Sequence, residues 1–177
     1  MTTRHRNNGS NGSTPEADAL RALGAEMAAT CAGFNLRRAS RAVSQHFDRA
    51  LAPAGLRMTQ LTLLGALALA GSTTTNEMAR ALVIDRTTLT RNLRLLRDAG
   101  LIDAAPSQTG REQRLSLTPA GRATLARAYP LWQQAQASIL ESFDAARWPT
   151  LLTDLDRLVN GVVGEPTQPA RRTASPS

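Results

Sequence analysis

Residues 74–100 read TTNEMARALVIDRTTLTRNLRLLRDAG, and they carry the strongest structural signals in the chain. Thr74 and Glu77 stand at the spacing of a capping box, which predicts a short helix running to Leu82. Only two residues separate that helix from Asp85, which we expect to cap a second, longer helix. Two helices joined by so short a turn predict a helix-turn-helix unit.

The second helix of this pair is amphipathic. Leu89, Leu93 and Leu96 recur at helical spacing on one side, and the pattern stops at Gly100. The polar candidates for DNA contact on this helix are Arg86, Thr87, Thr88, Thr90, Arg91, Arg94 and Arg97. Arginine binds guanine edges and phosphates, and threonine hydroxyls contact either. The pattern therefore predicts a helix that enters a major groove, and the competing interpretation is an ordinary solvated face.

A hairpin is predicted directly after this helix. Residues 101–105 and 113–117 form two short stretches without helical period, and residues 106–110 between them are turn-forming. Arg111 and Arg114 extend the set of candidate DNA-binding residues into this hairpin. The predicted fold class is mainly α with a small β-hairpin wing, a winged helix-turn-helix domain with a helical dimerisation region.

The rest of the ordered chain is predicted to be helical. Residues 34–51 form one helix face, Thr59 is expected to cap the next helix, and Thr118 with Pro119 marks the start of a helix of about seven turns that Pro130 kinks. Apolar stripes at near-heptad spacing mark the last two helices: Leu125, Tyr129, Trp132, Ile139 and Phe143, then Leu151, Leu155, Leu158 and Val162.

Composition sets the remaining bounds. The 177 residues suffice for one domain, and 42% apolar with 3% aromatic residues favours a helical core. The net charge of +7 indicates a polyanionic partner. No stretch approaches the run of about 20 apolar residues that a membrane helix needs, so we expect a cytoplasmic protein without membrane contact. Residues 1–15 and 165–177 are poor in apolar residues and are predicted to be disordered tails.

An enzyme is not expected. His5 and His46 are the only histidines, and the sequence contains no metal-ligand cluster, glycine-rich phosphate loop or nucleophile–base pair. We therefore expect no metal and no cofactor. A further alternative is a basic winged-helix module that binds every duplex equally and loses that binding steeply with salt.

Residues 85–102 resemble the recognition helix of MarR-type regulators, and residues 110–121, GREQRLSLTPAG, resemble the family's wing signature of Asp-x-Arg followed by Leu-x-Leu-Thr-x-x-Gly. The resemblance extends from about Cys31 to Val163. It implies that Arg111 is the wing-tip arginine that reaches into the minor groove. Thr109 stands where the family has aspartate, so Arg111 lacks the carboxylate that would orient it.

The resemblance also implies an assembly and a mode of regulation. Within a single domain at 16–164, residues 16–58 and 118–164 would form a homodimer interface and residues 59–117 the winged helix. The dimer would bind a pseudo-palindromic operator in double-stranded DNA as a ligand-responsive repressor. A small aromatic or phenolic effector would bind near His46, Met58 and Trp132.

Cys31 raises a second mode of regulation. Some relatives sense organic hydroperoxides through a cysteine near the start of the first helix, and by that resemblance Cys31 is a possible redox residue. The chain has no second cysteine to resolve a sulfenic acid and only one tyrosine, Tyr129. A buried, inert thiol is the competing interpretation.

Overall fold

The computed structural model describes residues 14–106 and 113–164. Its elements are α1 (Pro15–Thr30), α2 (Ala32–Leu51), α3 (Met58–Ala70), β1 (Thr73–Thr74), α4 (Thr75–Ala81), α5 (Arg86–Asp98), β2 (Ile102–Pro106), β3 (Gln113–Leu117), α6 (Pro119–Ser142) and α7 (Trp148–Val163). The chain divides into two units between Val43 and Ser44, a boundary that falls within α2. The mainly α fold with a small β-hairpin is confirmed.

The first unit contains α1, whose bounds the sequence pattern did not give, although residues 16–58 were assigned to dimerisation. The Thr14 hydroxyl accepts a hydrogen bond from the Ala17 amide at 3.3 Å, and Pro15 occupies the first helical position. Pro15 therefore belongs to a helix, although it was expected in the N-terminal tail. Except for Thr14 and Pro15, both predicted tails lie outside the described residues. None of the α1 side chains is buried.

The start of α3 differs from the prediction. Thr59 was expected to cap this helix, but the helix already begins at Met58. The Gln60 side chain accepts from the Arg57 amide at 2.9 Å, and the Asp48 carboxylate of α2 accepts from the Met58 amide at 2.7 Å. These two acceptors satisfy amides that a helix leaves unpaired at its start, so a hydroxyl at position 59 is not needed.

The core of the second unit is built mostly from leucine. The predicted inward residues of α5, Leu89, Leu93 and Leu96, are all buried. The largest side chains with less than 2% exposure are Leu51, Leu63, Leu64, Leu67, Met78, Leu89, Leu96 and Leu115. They come from α2, α3, α4, α5 and β3, so one apolar core holds the helix-turn-helix against the sheet.

The sheet has one strand more than the predicted hairpin. β2 pairs with β3 in antiparallel register from Ile102 opposite Leu117 to Pro106 opposite Gln113. β1 adds to the other edge of β3, with Thr74 opposite Arg114. This third strand lies directly before α4, so the sheet is joined to the start of the helix-turn-helix.

The long helix α6 begins as predicted. The Thr118 hydroxyl accepts from the Gly121 amide at 2.9 Å and donates to the Gly100 carbonyl at 2.7 Å. Helix α6 is 24 residues long, and Pro130 lies inside it. Phe143 was expected on its apolar face but is the residue that ends it, with extended backbone.

Candidate nucleic-acid interface

The short helix α4 is held at its start by the predicted capping box. The Thr74 hydroxyl accepts from the Glu77 amide at 3.2 Å, and the Glu77 carboxylate accepts from the Thr74 amide at 2.8 Å. The Thr73 hydroxyl donates to the same carboxylate at 3.0 Å. These bonds, the one from the Thr74 amide first and the one from Thr73 next, lower the pKa of Glu77. Glu77 therefore fixes both the helix and β1.

A strained residue forms the turn between α4 and α5. Val83 has a φ of 51°, a left-handed conformation that a β-branched residue rarely adopts. Its side chain is 53% exposed. The Ile84 amide donates to the Ala79 carbonyl at 3.0 Å and closes the turn. This geometry sets the angle at which α5 leaves α4.

The helix α5 is capped by Asp85, as predicted. Its carboxylate accepts from the Thr88 amide at 2.8 Å. That bond, with a second one from the Thr88 hydroxyl, lowers the pKa of Asp85. Thr88, a candidate DNA contact, thus has its hydroxyl engaged at the cap.

The remaining polar candidates on α5 share an exposed face. This face carries Arg86, Thr87, Thr90, Arg91, Arg94 and Arg97. Within the described residues, no hydrogen bond or ion pair engages the guanidinium of Arg86 or Arg91. The Arg94 guanidinium lies 3.6 Å from the Asp98 carboxylate, and both side chains are mostly exposed, so this pair is weak. The Thr90 hydroxyl donates to the Arg86 carbonyl at 2.7 Å.

Of the two arginines predicted in the wing, the structure describes only Arg114. Arg111 lies outside the described residues. Arg114, on β3, donates from Nε to the Ser72 hydroxyl at 3.0 Å and from a terminal nitrogen to the Ser72 carbonyl at 2.8 Å. Its guanidinium is therefore anchored in the protein. Ser72 was not among the predicted site residues, and nothing local marks it, because the two residues stand 42 positions apart.

The three candidate effector residues have different partners in the described part of the chain. The His46 ring lies 2.9 Å from the Ser138 hydroxyl and 3.1 Å from the Ala135 carbonyl. Met58 packs against the core, and Trp132 stacks on Tyr129 with ring centroids 5.7 Å apart. An open groove of about 530 Å³ lies elsewhere, between the end of α3, β3 and α6. It is lined by Leu67, Ala68, Gly71, Ser116, Leu117, Arg122, Leu125, Ala126 and Tyr129. The effector site stays a prediction.

Cys31 lies at the joint between α1 and α2 and is half-buried. Its amide donates to the Met27 carbonyl at 3.0 Å, and the Asn35 side chain donates to the Cys31 carbonyl at 3.0 Å. These bonds give the backbone of Cys31 a role at the joint, and a redox role for its thiol stays a prediction.

Metal-ligand clusters and membrane-spanning helices are both absent from the described part of the chain. Residues 14–106 and 113–164 contain no group of three or more His, Cys, Asp or Glu side chains placed to hold a metal ion. Among the helices in the same ranges, none combines the length and the apolar character required to cross a membrane.

Comparisons with known proteins agree with this geometry. A sequence model described as MarR family matches residues 54–111. The solved structure of the Mycobacterium tuberculosis transcriptional regulator MosR in complex with DNA is 38% identical and has a TM-score of 0.69. That similarity covers 76% of this chain and 97% of the MosR chain. The comparison with curated proteins gave no match.

Two further solved structures are similar. The transcriptional repressor CouR bound to a 23-mer DNA duplex is 29% identical, with a TM-score of 0.68 over 75% of this chain and 95% of that one. A mutant of MarR from E. coli complexed with operator DNA is 22% identical, with a TM-score of 0.66 over 72% of this chain and 92% of that one. At that identity the likeness to MarR concerns the fold alone.

Proposed function

Because the chain belongs to the MarR family of transcriptional regulators, we propose that it binds operator DNA as a homodimer and represses transcription. The observation that carries this proposal is the exposed face of α5, which presents arginine and threonine opposite a buried leucine face. The similar proteins MosR and CouR are both described in complex with DNA, and CouR as a repressor.

The dimensions of α5 suit a major groove. Its 13 residues span about 20 Å, and a helix with side chains is roughly 10–12 Å wide, which matches the groove of B-DNA. The leucine face packs into the core, so only the arginine and threonine face is available to DNA. Arg91 is the candidate base reader that this geometry favours most, since it lies mid-helix and its guanidinium is unengaged among the described residues.

Exposed apolar stripes support a second copy of the chain as partner. On α7, Leu152, Leu158, Val159, Val162 and Val163 are each at least 40% exposed. On α1, Leu20, Leu23 and Met27 are more than half exposed. Covering such stripes is the ordinary way in which a helical regulator gains stability, and a two-fold dimer would present two α5 helices to one DNA face. We assign residues 16–58 and 118–164 to dimerisation and 59–117 to DNA binding.

The regulatory details are part of the same proposal. A dimer on a promoter blocks polymerase, and release by a small aromatic or phenolic effector would make the repression reversible. The protein would act in the cytoplasm, where the DNA is, and would catalyse no reaction. Measuring DNA affinity with and without peroxide, for the wild type and for Cys31→Ser, separates the two kinds of regulation. A thiol-based response would weaken DNA binding of the wild type and leave that of Cys31→Ser unchanged.

The decisive experiment is a selection from random duplexes followed by fluorescence anisotropy. We expect a pseudo-palindrome with half-sites about one DNA turn apart, bound about a thousandfold or more tightly than a shuffled duplex. Arg91→Ala should weaken binding by about 1–3 kcal/mol and relax the preference at one base pair. Arg127→Ala on α6 removes the same charge outside the helix-turn-helix and serves as the matched control, with light scattering to check that the variant keeps the wild-type assembly, because Arg127 lies in the region assigned to dimerisation and donates to Thr124.

Two results would contradict the proposal. Equal, steeply salt-dependent affinity for all duplexes would identify a non-specific basic module. If Arg91→Ala and Arg127→Ala weaken binding equally, the contribution of α5 is only general charge.

A further inference from the structure

Arg114 occupies a different environment from the other candidate arginines. It lies on β3, next to β1, and its guanidinium forms two hydrogen bonds with a single residue, Ser72. One acceptor is the Ser72 hydroxyl and the other its main-chain carbonyl, a forked arrangement that suits the planar guanidinium. The bond connects the wing strand to the turn that leads from α3 into β1.

The same turn is held from its other side by Glu77. The Glu77 carboxylate accepts from the Thr73 hydroxyl and the Thr74 amide, the two residues that form β1. The positive charge of Arg114 also contributes to the lowered pKa of Glu77, after the hydrogen bonds from Thr74 and Thr73. Residues 72–74 are therefore fixed between the wing strand and the first turn of the helix-turn-helix.

This arrangement joins the two parts of the candidate DNA surface. The wing is built on β3, and α5 follows α4 through a two-residue turn, so the angle between wing and helix-turn-helix depends on how β3 meets the start of α4. The pairing of β1 with β3 supplies only part of this connection, because β1 has only two residues. The apolar core that includes Leu115 of β3 supplies another part, and the side-chain bonds of Arg114 and Glu77 hold the short β1 itself, whose pairing alone is weak.

We propose that Arg114 is a positioning residue, which ties β3 to Ser72 and so sets the angle at which the wing and α5 meet DNA, and that it neutralises no phosphate. This inference rests on the proposed function. It differs from the sequence prediction, in which Arg114 contacted DNA directly.

The test compares Arg114→Ala, Arg114→Lys and Ser72→Ala with the matched variant Arg86→Ala, whose guanidinium is exposed at the start of α5. Affinity for the selected duplex is measured over a range of salt concentrations, with folding checked by circular dichroism. Hydrogen exchange of residues 72–74 is measured on the same proteins without DNA.

We expect Arg114→Ala to weaken DNA binding roughly three- to tenfold, the effect of about one hydrogen bond. The slope of log Kd against log salt should equal that of the wild type, while Arg86→Ala lowers it by about 0.9 if Arg86 binds a phosphate. Arg114→Lys should resemble Arg114→Ala because it keeps the charge but loses the fork. Ser72→Ala should also weaken DNA binding. Its effect should be smaller when it is added to Arg114→Ala than when it is made in the wild type. Exchange of residues 72–74 should quicken in both Arg114 variants and stay unchanged in Arg86→Ala.

Other results overturn the inference. A salt slope reduced by about 0.9 in Arg114→Ala, with near-normal binding by Arg114→Lys, would make Arg114 a phosphate contact. Unchanged affinity in Arg114→Ala would remove its role altogether. If the wild-type chain binds no duplex, the proposed function fails, and with it any role in DNA binding. The exchange data then still decide whether Arg114 ties β3 to Ser72.

Discussion

Replacing Gly121 with alanine should separate α6 from the joint between α5 and the wing. A β-carbon at this position would lie 1.9 Å from the Leu101 carbonyl oxygen, about 1.5 Å closer than ordinary van der Waals contact. The obstacle is main chain, so no side-chain rotation relieves it. The same carbonyl accepts from the Thr118 amide at 3.1 Å, and the neighbouring Gly100 carbonyl accepts from the Thr118 hydroxyl.

The magnitude follows from three contributions. Overpacking a close contact costs roughly 1–3 kcal/mol. Moving the helix away weakens the two bonds that Thr118 makes to Gly100 and Leu101, at about 1 kcal/mol each. Alanine returns up to about 1 kcal/mol through its better helix propensity. The sum is a loss of about 3 kcal/mol in the free energy of unfolding.

Gly65→Ala is the matched control, because Gly65 lies inside α3 and a β-carbon added there would have no other atom within 4 Å. At that position the same substitution should stabilise the protein by about 0.5–1 kcal/mol. Urea unfolding followed by circular dichroism, at one fixed protein concentration, measures both changes. If Gly121→Ala is as stable as the wild type, the close approach of α6 to Leu101 is wrong.

Three further predictions concern the turn, the capping box and the dimer. Val83→Gly should raise the free energy of unfolding by about 1 kcal/mol, measured in urea, because glycine adopts a positive φ without strain; an unchanged value would contradict that strain. Glu77 has a lowered pKa in the folded protein, so its stabilisation is present above its unfolded pKa and is lost as the pH falls through the folded one. Thermal unfolding between about pH 5 and pH 3 should therefore depend less on pH in Glu77→Gln, and parallel curves would refute this. Leu158→Glu combined with Val162→Glu should yield monomers by light scattering, and an unchanged mass would exclude this stripe from the interface.

Much of the helix-turn-helix could be predicted because its signals are local. The capping residues Thr74, Asp85 and Thr118 each bond an amide three residues ahead, so the sequence spacing alone predicts the contact. The burial of Leu89 and its two partners follows from helical period in the same way. These signals need no knowledge of the rest of the chain.

The features that were not predicted depend on contacts between residues that are distant in the sequence. The start of α3 depends on Asp48, ten residues earlier in α2, and the strand β1 exists because β3 lies beside it. Two threonines have no strand pattern of their own, and an aspartate inside a helix carries no sign that it will cap another. Such contacts form only once the helices pack, so no local rule predicts them.

The same distinction applies to the arginines of the candidate interface. From the sequence, Arg91 and Arg114 are both predicted to contact DNA, since both belong to a basic stretch. In the structure, Arg91 is exposed on α5, whereas Arg114 is bound to Ser72. A guanidinium with two protein acceptors has less to gain from a phosphate than one that has none. Loss of Arg91 should therefore alter which base pair is preferred, whereas loss of Arg114 should weaken binding to the selected duplex without changing the preference at any single base pair.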